Sequence, residues 1–362
     1  VSNMIRANAV RRHRWGAVAR AAGLAAFLGL SVFASKASAE PLTFNMAGSL
    51  KGTPIYEQFE RELFLEQMPK DTNGEIKADL KSLTEMGLKG PEVLRLTGRG
   101  VVQMGSVLLG YNTGDEVALE GVDIAGLAPD VASARKVSMA SLAFLKPIFA
   151  EKFGVELLAI GSNPGQMFFC NAVMTGLESI AGKKVRVNGK SPAALVEALG
   201  GTPVFMPFAE VIPGLQNKMI DCTMGGSLPN NKAHIDDVTT HMLNLAIGWG
   251  QMVYVANKPW WDGLTDNQRS MIKVSLEKGI HGVMWDAVAE HTQQGVDCSA
   301  GKDNCVLGVK GDMIVIDGSD ADRDRLQTLA KEKFIPEWAS RCGEKCLASF
   351  NETIGKAAGL IN

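Results

Sequence analysis

The chain has 362 residues, 37 Lys and Arg against 39 Asp and Glu, and 46% hydrophobic residues. That length supports two domains, each able to bury its own core. The lack of a basic excess argues against nucleic acid or anionic lipid as a partner.

Charge is unevenly placed. Arg6, Arg11, Arg12, Arg14 and Arg20 precede the first acid, Glu40, and an apolar run from Ala21 to Phe33 leads to Ala37-Ser38-Ala39. Basic leader, apolar stretch and A-x-A order describe a secretory signal peptide over 1–39, cut before Glu40. The apolar run is shorter than the ~20 residues that span a bilayer. Arg11-Arg12 leaves twin-arginine export open beside the general route. Residues 1–39 hold six basic side chains (the five arginines and Lys36) and no acid, so the remaining 323 residues carry 31 basic against 39 acidic groups. The mature chain is therefore acidic, and its expected location is the periplasm.

Beyond the leader, strand and helix patterns alternate. Leu42–Met46 is predicted as a strand, Pro54–Gln67 as a helix, Glu75–Leu80 as a strand after the Asn73-Gly74 turn, Pro91–Gly98 as a helix and Val101–Val107 as a strand. Such alternation predicts parallel α/β layers. Ala134–Lys152 is predicted helical, with a kink at Pro147. Strands are expected at Val155–Gly161, Gln166–Asn171, Lys184–Asn188, Thr202–Met206 and Met219–Thr223. Helices are expected at Ser191–Leu199, capped by Ser191, and at Phe208–Asn217. Thr265-Asp266-Asn267-Gln268 is a capping box that opens a helical pattern running to about Gln294. The pattern fits one helix of about 45 Å, or two helices broken at Gly279 or Gly282.

Cysteines fall into two contexts. Cys298 with Cys305, and Cys342 with Cys346, form close pairs that an oxidising compartment would join as disulfides; their spacing would also suit zinc, but no nearby histidine except His291 supports that. Cross-pairing between the two clusters stays open. Cys170 and Cys222 lie in apolar surroundings and are read as buried thiols.

Catalytic signatures are absent: there is no G-x-S-x-G, Walker loop, H-E-x-x-H or dinucleotide fingerprint. No histidines pair at i, i+4, so neither a metal site nor a cofactor is expected. Arg186 is the informative residue. It stands between valines at the carboxyl end of a strand, just before a helix, where open α/β sheets bind ligands. A guanidinium there could fork onto a carboxylate, or pair internally with an acid such as Glu210.

The stretch Gly176-Leu177-Glu178-Ser179-Ile180-Ala181-Gly182-Lys183-Lys184-Val185-Arg186-Val187 resembles the periplasmic solute-binding proteins of tripartite ATP-independent periplasmic (TRAP) transporters. So do Ala198-Leu199-Gly200-Gly201-Thr202-Pro203-Val204-Phe205-Met206-Pro207-Phe208-Ala209-Glu210-Val211 and Leu215-Gln216-Asn217-Lys218-Met219-Ile220-Asp221. The resemblance covers nearly the whole mature chain. It implies an α/β, two-lobe periplasmic binding protein of the type II kind, with crossing hinge strands and a long helix spanning both lobes. Lobe I would take 40–163 plus about 252–291, and lobe II 164–251 plus about 292–362. The implied role is capture of a small organic carboxylate and its delivery to TRAP membrane permease subunits, without catalysis. A ligand-sensing module and an exported enzyme are the alternatives.

By that resemblance Arg186 is the carboxylate clamp and Phe208 a pocket wall. Thr223 and Gly225 face the ligand, Ala47 and Gly48 close the first strand at the cleft mouth, and Ser106, Leu108 and Tyr111 come from the other lobe. Three departures stand out. Asn188 replaces a proline after Arg186-Val187. Gln166 stands where many members have a second arginine. Cys222-Thr223-Met224 replaces Gly-Gln-Glu. With Trp249 and Phe168 expected nearby, these changes suggest a monocarboxylate with an apolar or aromatic body.

Overall fold

The computed structural model describes residues 40–361; the leader read at 1–39 lies outside them. Eleven strands form two sheets. They are β1 (Leu42–Ala47), β2 (Ile76–Lys81), β3 (Met104–Leu108), β4 (Val155–Ser162), β5 (Gln166–Cys170), β6 (Lys184–Val187), β7 (Thr202–Phe205), β8 (Cys222–Gly226), β9 (His241–Gly248), β10 (Gln251–Asn257) and β11 (Ile314–Asp317). The first sheet runs β2-β1-β3-β10-β4 and the second β11-β9-β5-β8-β6-β7.

Both sheets are mixed, where the alternating pattern predicted parallel layers. In the first, β1 is parallel to β2 and β3, but β10 runs antiparallel to β3 and β4. In the second, β5 is antiparallel to β8 and β9. The cause is that β4–β5 and β9–β10 cross from one sheet to the other in opposite directions. Gln251 pairs with Ser162 on one side of the crossing and Gln166 with Gly248 on the other. Asn163 N and Nδ2 both donate to Gly250 O, and Ser162 Oγ donates to Trp249 O. The Asp123 carboxylate accepts the N–H groups of Trp249 (3.0 Å) and Gly250 (2.7 Å). The crossing backbone thus keeps its hydrogen bonds where the ladders stop.

The Thr265 capping box forms as the sequence predicts. Helix then continues through Asp266–Leu276, Glu277–Met284 and Trp285–Ser299, 34 residues in all, about 51 Å at 1.5 Å per residue. Gly279 does not break it. A Cβ there would lie 2.7 Å from Leu63 Cδ1, so the glycine admits a neighbouring helix. Ile272, Leu276, Ile280 and Met284 pack with Phe44, Phe64 and Tyr254 of the first sheet's core. Further on, Val296 joins Met167 and Phe169 of the second. One helix therefore lies along both sheets.

Several local expectations are corrected. Gly189, not Ser191, precedes the helix Lys190–Ala198, and Ser191 Oγ instead accepts the Ala125 N–H at 2.7 Å. The strand expected at Met219–Thr223 is displaced to Cys222–Gly226, because Asp221 is held by Lys184 N and O before the ladder starts. Cys170 and Cys222 are not free thiols. They face each other across β5 and β8 with Cα atoms 4.0 Å apart and form a disulfide. The structure pairs Cys298 with Cys305, and Cys342 with Cys346 across the turn at Gly343. The C-terminal helices cover the helix Val131–Phe153 and the turn before it. There Arg341 holds the Glu120 carboxylate with two N–H groups and Trp338 Nε1 donates to Val117 O. Among the described residues no helix is long and apolar enough to cross a membrane.

Candidate functional site

The crossing strands bring the carboxyl ends of β3 and β6 to face each other, and a cavity of about 90 Å³ lies between them. A water needs ~10–15 Å³ on this measure, so there is room for roughly six to nine water-sized groups. Arg186, Asn188, Phe208 and Gly225 line it from the second sheet, and Ser49, Ser106, Tyr111 and Met252 from the first; Gln166 and Asn163 sit at the crossing.

Arg186 is 1% exposed. Its place in β6, between β7 and β8, puts the guanidinium among main-chain carbonyls. Nε donates to Met206 O and Nη1 to Met224 O, both at 2.8 Å, and Nη2 stands 3.5 Å from Tyr111 Oη. The Phe208 ring lies 5.8 Å from the guanidinium carbon, within cation–π range. Of five N–H donors, two are consumed by carbonyls and a third makes only a long contact. At least two remain. Glu210, the acid that might have neutralised Arg186, bonds Lys89 at 2.6 Å instead. Among the described residues no carboxylate forms an ion pair with Arg186. Burial pulls its pKa below the ordinary guanidinium value, with Tyr111 opposing.

The two sides already touch around the cavity. Phe208 N donates to Tyr111 Oη at 3.0 Å, and Lys190 N to Thr113 Oγ1 at 3.2 Å. Gly110 passes so close that a Cβ would lie 2.8 Å from Asn188 O.

The structure gathers Arg186, Gln166, Asn188, Phe208, Gly225, Ser106 and Tyr111 around one space, with Leu108 beside them. It places five other residues elsewhere. Trp249 is buried against Ala128, Ala134, Trp285 and Val288, its indole N–H donating to Ala128 O at 2.9 Å. Thr223 is fully buried in β8, two residues before Gly225, which lines the cavity. Ala47 is core, and Gly48 abuts the Glu60 carboxylate, Leu80 and Tyr56. Phe168 also packs inside the core.

Sequence reasoning missed a polar cluster behind Ser49 and Ser106. Glu60 is completely buried and is held by Ser49 and Tyr254. Burial pushes its carboxyl up, while the hydrogen bonds it accepts from Ser49 and Tyr254 pull it back. A signal existed: Tyr56, Phe59, Leu63 and Phe64 put the apolar face of the helix at Glu60.

Two α/β lobes, two crossing connections and a cavity between them holding an unneutralised arginine define a ligand-binding protein of the two-lobe class. Residues 47–300 match the family described as bacterial extracellular solute-binding protein, family 7, and the chain belongs to it. Among relatives, the C4-dicarboxylate-binding periplasmic protein DctP of Rhodobacter capsulatus is 26% identical over 219 residues, 60% of this chain; the match spans 64% of that relative's own length. The fold is that of an extracytoplasmic solute receptor of Bordetella pertussis solved with pyroglutamic acid (TM-score 0.76, 19% identity, 88% of this chain and 99% of that one). It is equally that of a TRAP periplasmic solute-binding protein of Desulfovibrio salexigens solved with orotic acid (TM-score 0.77, 16% identity, 88% and 99%).

Proposed function

We propose that the protein captures a small organic carboxylate between its lobes outside the inner membrane and passes it, unchanged, to TRAP permease subunits. One observation carries this reading: a fully buried guanidinium with at least two free N–H donors and no counter-ion, facing the cavity between the lobes. A buried charge without a partner is unfavourable, and an anion entering the cavity removes that cost while forming charge-assisted hydrogen bonds. Gln166 and Asn188 flank Arg186 as neutral amides that add polar contacts. Leu50, Ile55, Leu83 and Met252 offer apolar surface. The other cation of the lining, Lys89, is bonded to Glu210, and one unpaired cation with apolar walls favours a monocarboxylate with an apolar or aromatic body. The relatives solved with pyroglutamic and orotic acids carry ligands of this general size and a single acid group.

On this reading lobe I comprises 40–163 plus about 252–291, lobe II the remainder, and the crossings at 163–165 and 249–250 form the hinge. Residues 1–39 act as a cleaved export signal. Mass spectrometry of small molecules released from protein purified without refolding should find an organic acid. Release of a neutral sugar or an organic cation in its place would overturn the proposal.

A further inference from the structure

The cavity wall opposite Arg186 has its own chemistry. Ser49 and Ser106 face the space, and Glu60 lies behind them, fully buried. Ser49 N donates to Glu60 Oε2 at 2.6 Å and Ser49 Oγ to Oε1 at 2.7 Å; Tyr254 Oη donates to Oε1 at 3.2 Å. Ser106 Oγ stands 3.1 Å from Ser49 Oγ. Gly48 belongs to the same construction. A Cβ there would lie 2.8 Å from Glu60 Oε2, so only glycine lets the chain pass over the carboxylate.

Counting protons shows what this wall offers. A carboxylate accepts and cannot donate. The hydroxyl protons of Ser49 and Tyr254 are committed to Glu60. Ser49 Oγ, having given its proton away, is then the acceptor in its contact with Ser106. All three hydroxyl protons run inward, and the oxygens left at the cavity surface present lone pairs. Among the described residues no Lys, Arg or His forms an ion pair with Glu60; above the pKa that burial raises, the ionised carboxylate is held by the three hydrogen bonds it accepts, and the wall is then rich in acceptors and backed by negative charge.

We propose, building on the carboxylate reading above, that this wall selects an acid whose body carries a hydrogen-bond donor, an N–H or O–H, and rejects a second carboxylate. Glu60 acts as a positioning residue: it never touches the ligand and instead orients the serine hydroxyls that do. A donor group satisfies the exposed lone pairs. An ester or ether oxygen leaves them unpaired once the ligand has displaced the water that bonded them. A second carboxylate sets acceptor against acceptor and charge against charge.

The test uses compounds matched in the acid and backbone. Succinamate has an amide N–H₂ at its far end, monomethyl succinate an ester and succinate a second carboxylate. 5-Oxopyrrolidine-2-carboxylate and 5-oxotetrahydrofuran-2-carboxylate differ by a ring N–H against a ring oxygen. Calorimetric titration of the mature protein should give the donor-bearing member of each set at least tenfold tighter binding than its partners. In Glu60→Gln an amide replaces the carboxylate and the hydroxyl protons can turn outward, so that preference should shrink to within about threefold. A purely structural role for Glu60 would lower the melting temperature and scale all affinities together, leaving the ratio intact. If Glu60→Gln does not fold, Ser106→Ala, which deletes one exposed acceptor, should shrink the ratio in its place. Equal or tighter binding of the ester, lactone or dicarboxylate refutes the proposal and leaves the carboxylate reading standing. Succinamide binding as tightly as succinamate would show that no carboxylate is recognised, and both readings would fall together.

Discussion

Replacing Arg186 separates its two possible roles. In Arg186→Ala the bound carboxylate would lose its only buried cation, a change that typically costs ~3–5 kcal/mol, or about 150- to 5000-fold in affinity. The free protein responds differently. Met206 O and Met224 O lose their donors, at ~1–3 kcal/mol for each acceptor left buried and unbonded. Offsetting this, a buried charge without a counter-ion disappears. Stability without ligand should therefore move much less than affinity. A ligand at 100 times its Kd stabilises the parent by ~2.7 kcal/mol. At the same concentration, a variant with a Kd 1000-fold weaker gains under about 0.1 kcal/mol. The assay is thermal melting with and without the acid retained by the parent, alongside calorimetric titration. Arg186→Lys should also bind poorly, because an ammonium that bonds both carbonyls keeps one N–H and cannot fork onto a planar anion. A folded Arg186→Ala protein that keeps the parent's ligand-induced shift would refute the assignment.

Three further outcomes are expected. The Cys170–Cys222 disulfide closes a separation of 52 residues, so Cys170→Ala with Cys222→Ala should lose roughly 4 kcal/mol in urea unfolding; an unchanged midpoint would contradict the pairing. Gly110→Ala puts a methyl 2.8 Å from Asn188 O, and overpacking of ~1–3 kcal/mol should weaken binding about 5- to 150-fold by calorimetry although the residue lies outside the main cavity; parental affinity would show that the lobes need not approach so closely. The Glu60 carboxyl is raised by burial above its ordinary value of 4.5, so the folded state keeps that proton to higher pH than the unfolded chain does. Its contribution is full below about pH 4.5 and is lost as pH rises through the raised value. Denaturant unfolding should show the parent losing stability relative to Glu60→Gln above about pH 4.5, and parallel profiles would exclude the shift.

Much of the architecture was legible because it is written in local patterns. Alternating apolar segments marked β1, β2, β4, β5, β6 and β7, and the Thr265 capping box marked the start of the long helix. The strands of 241–257 went unread because they are buried on both faces, so no alternation distinguishes them. Antiparallel insertion of β10 and β5 likewise follows from two chain crossings that no local pattern encodes.

At the site, Arg186 was visible in sequence because an arginine between valines violates the strand's apolar pattern. Its lack of an acidic partner was not, since Glu210 was an equally good candidate until the fold gave it to Lys89. Trp249 shows the converse: its aromatic character suggested the pocket, but the hinge turn directs the indole N–H to Ala128 O. The pairing of Cys170 with Cys222 needed the register of β5 against β8. Composition and periodicity determined most strands and helices up to residue 217, the start of the long helix and which charge stood out of place. Only the tertiary structure decided partners, because ion pairs, disulfides and the Glu60 hydrogen bonds join residues far apart in sequence whose meeting depends on how the two sheets cross.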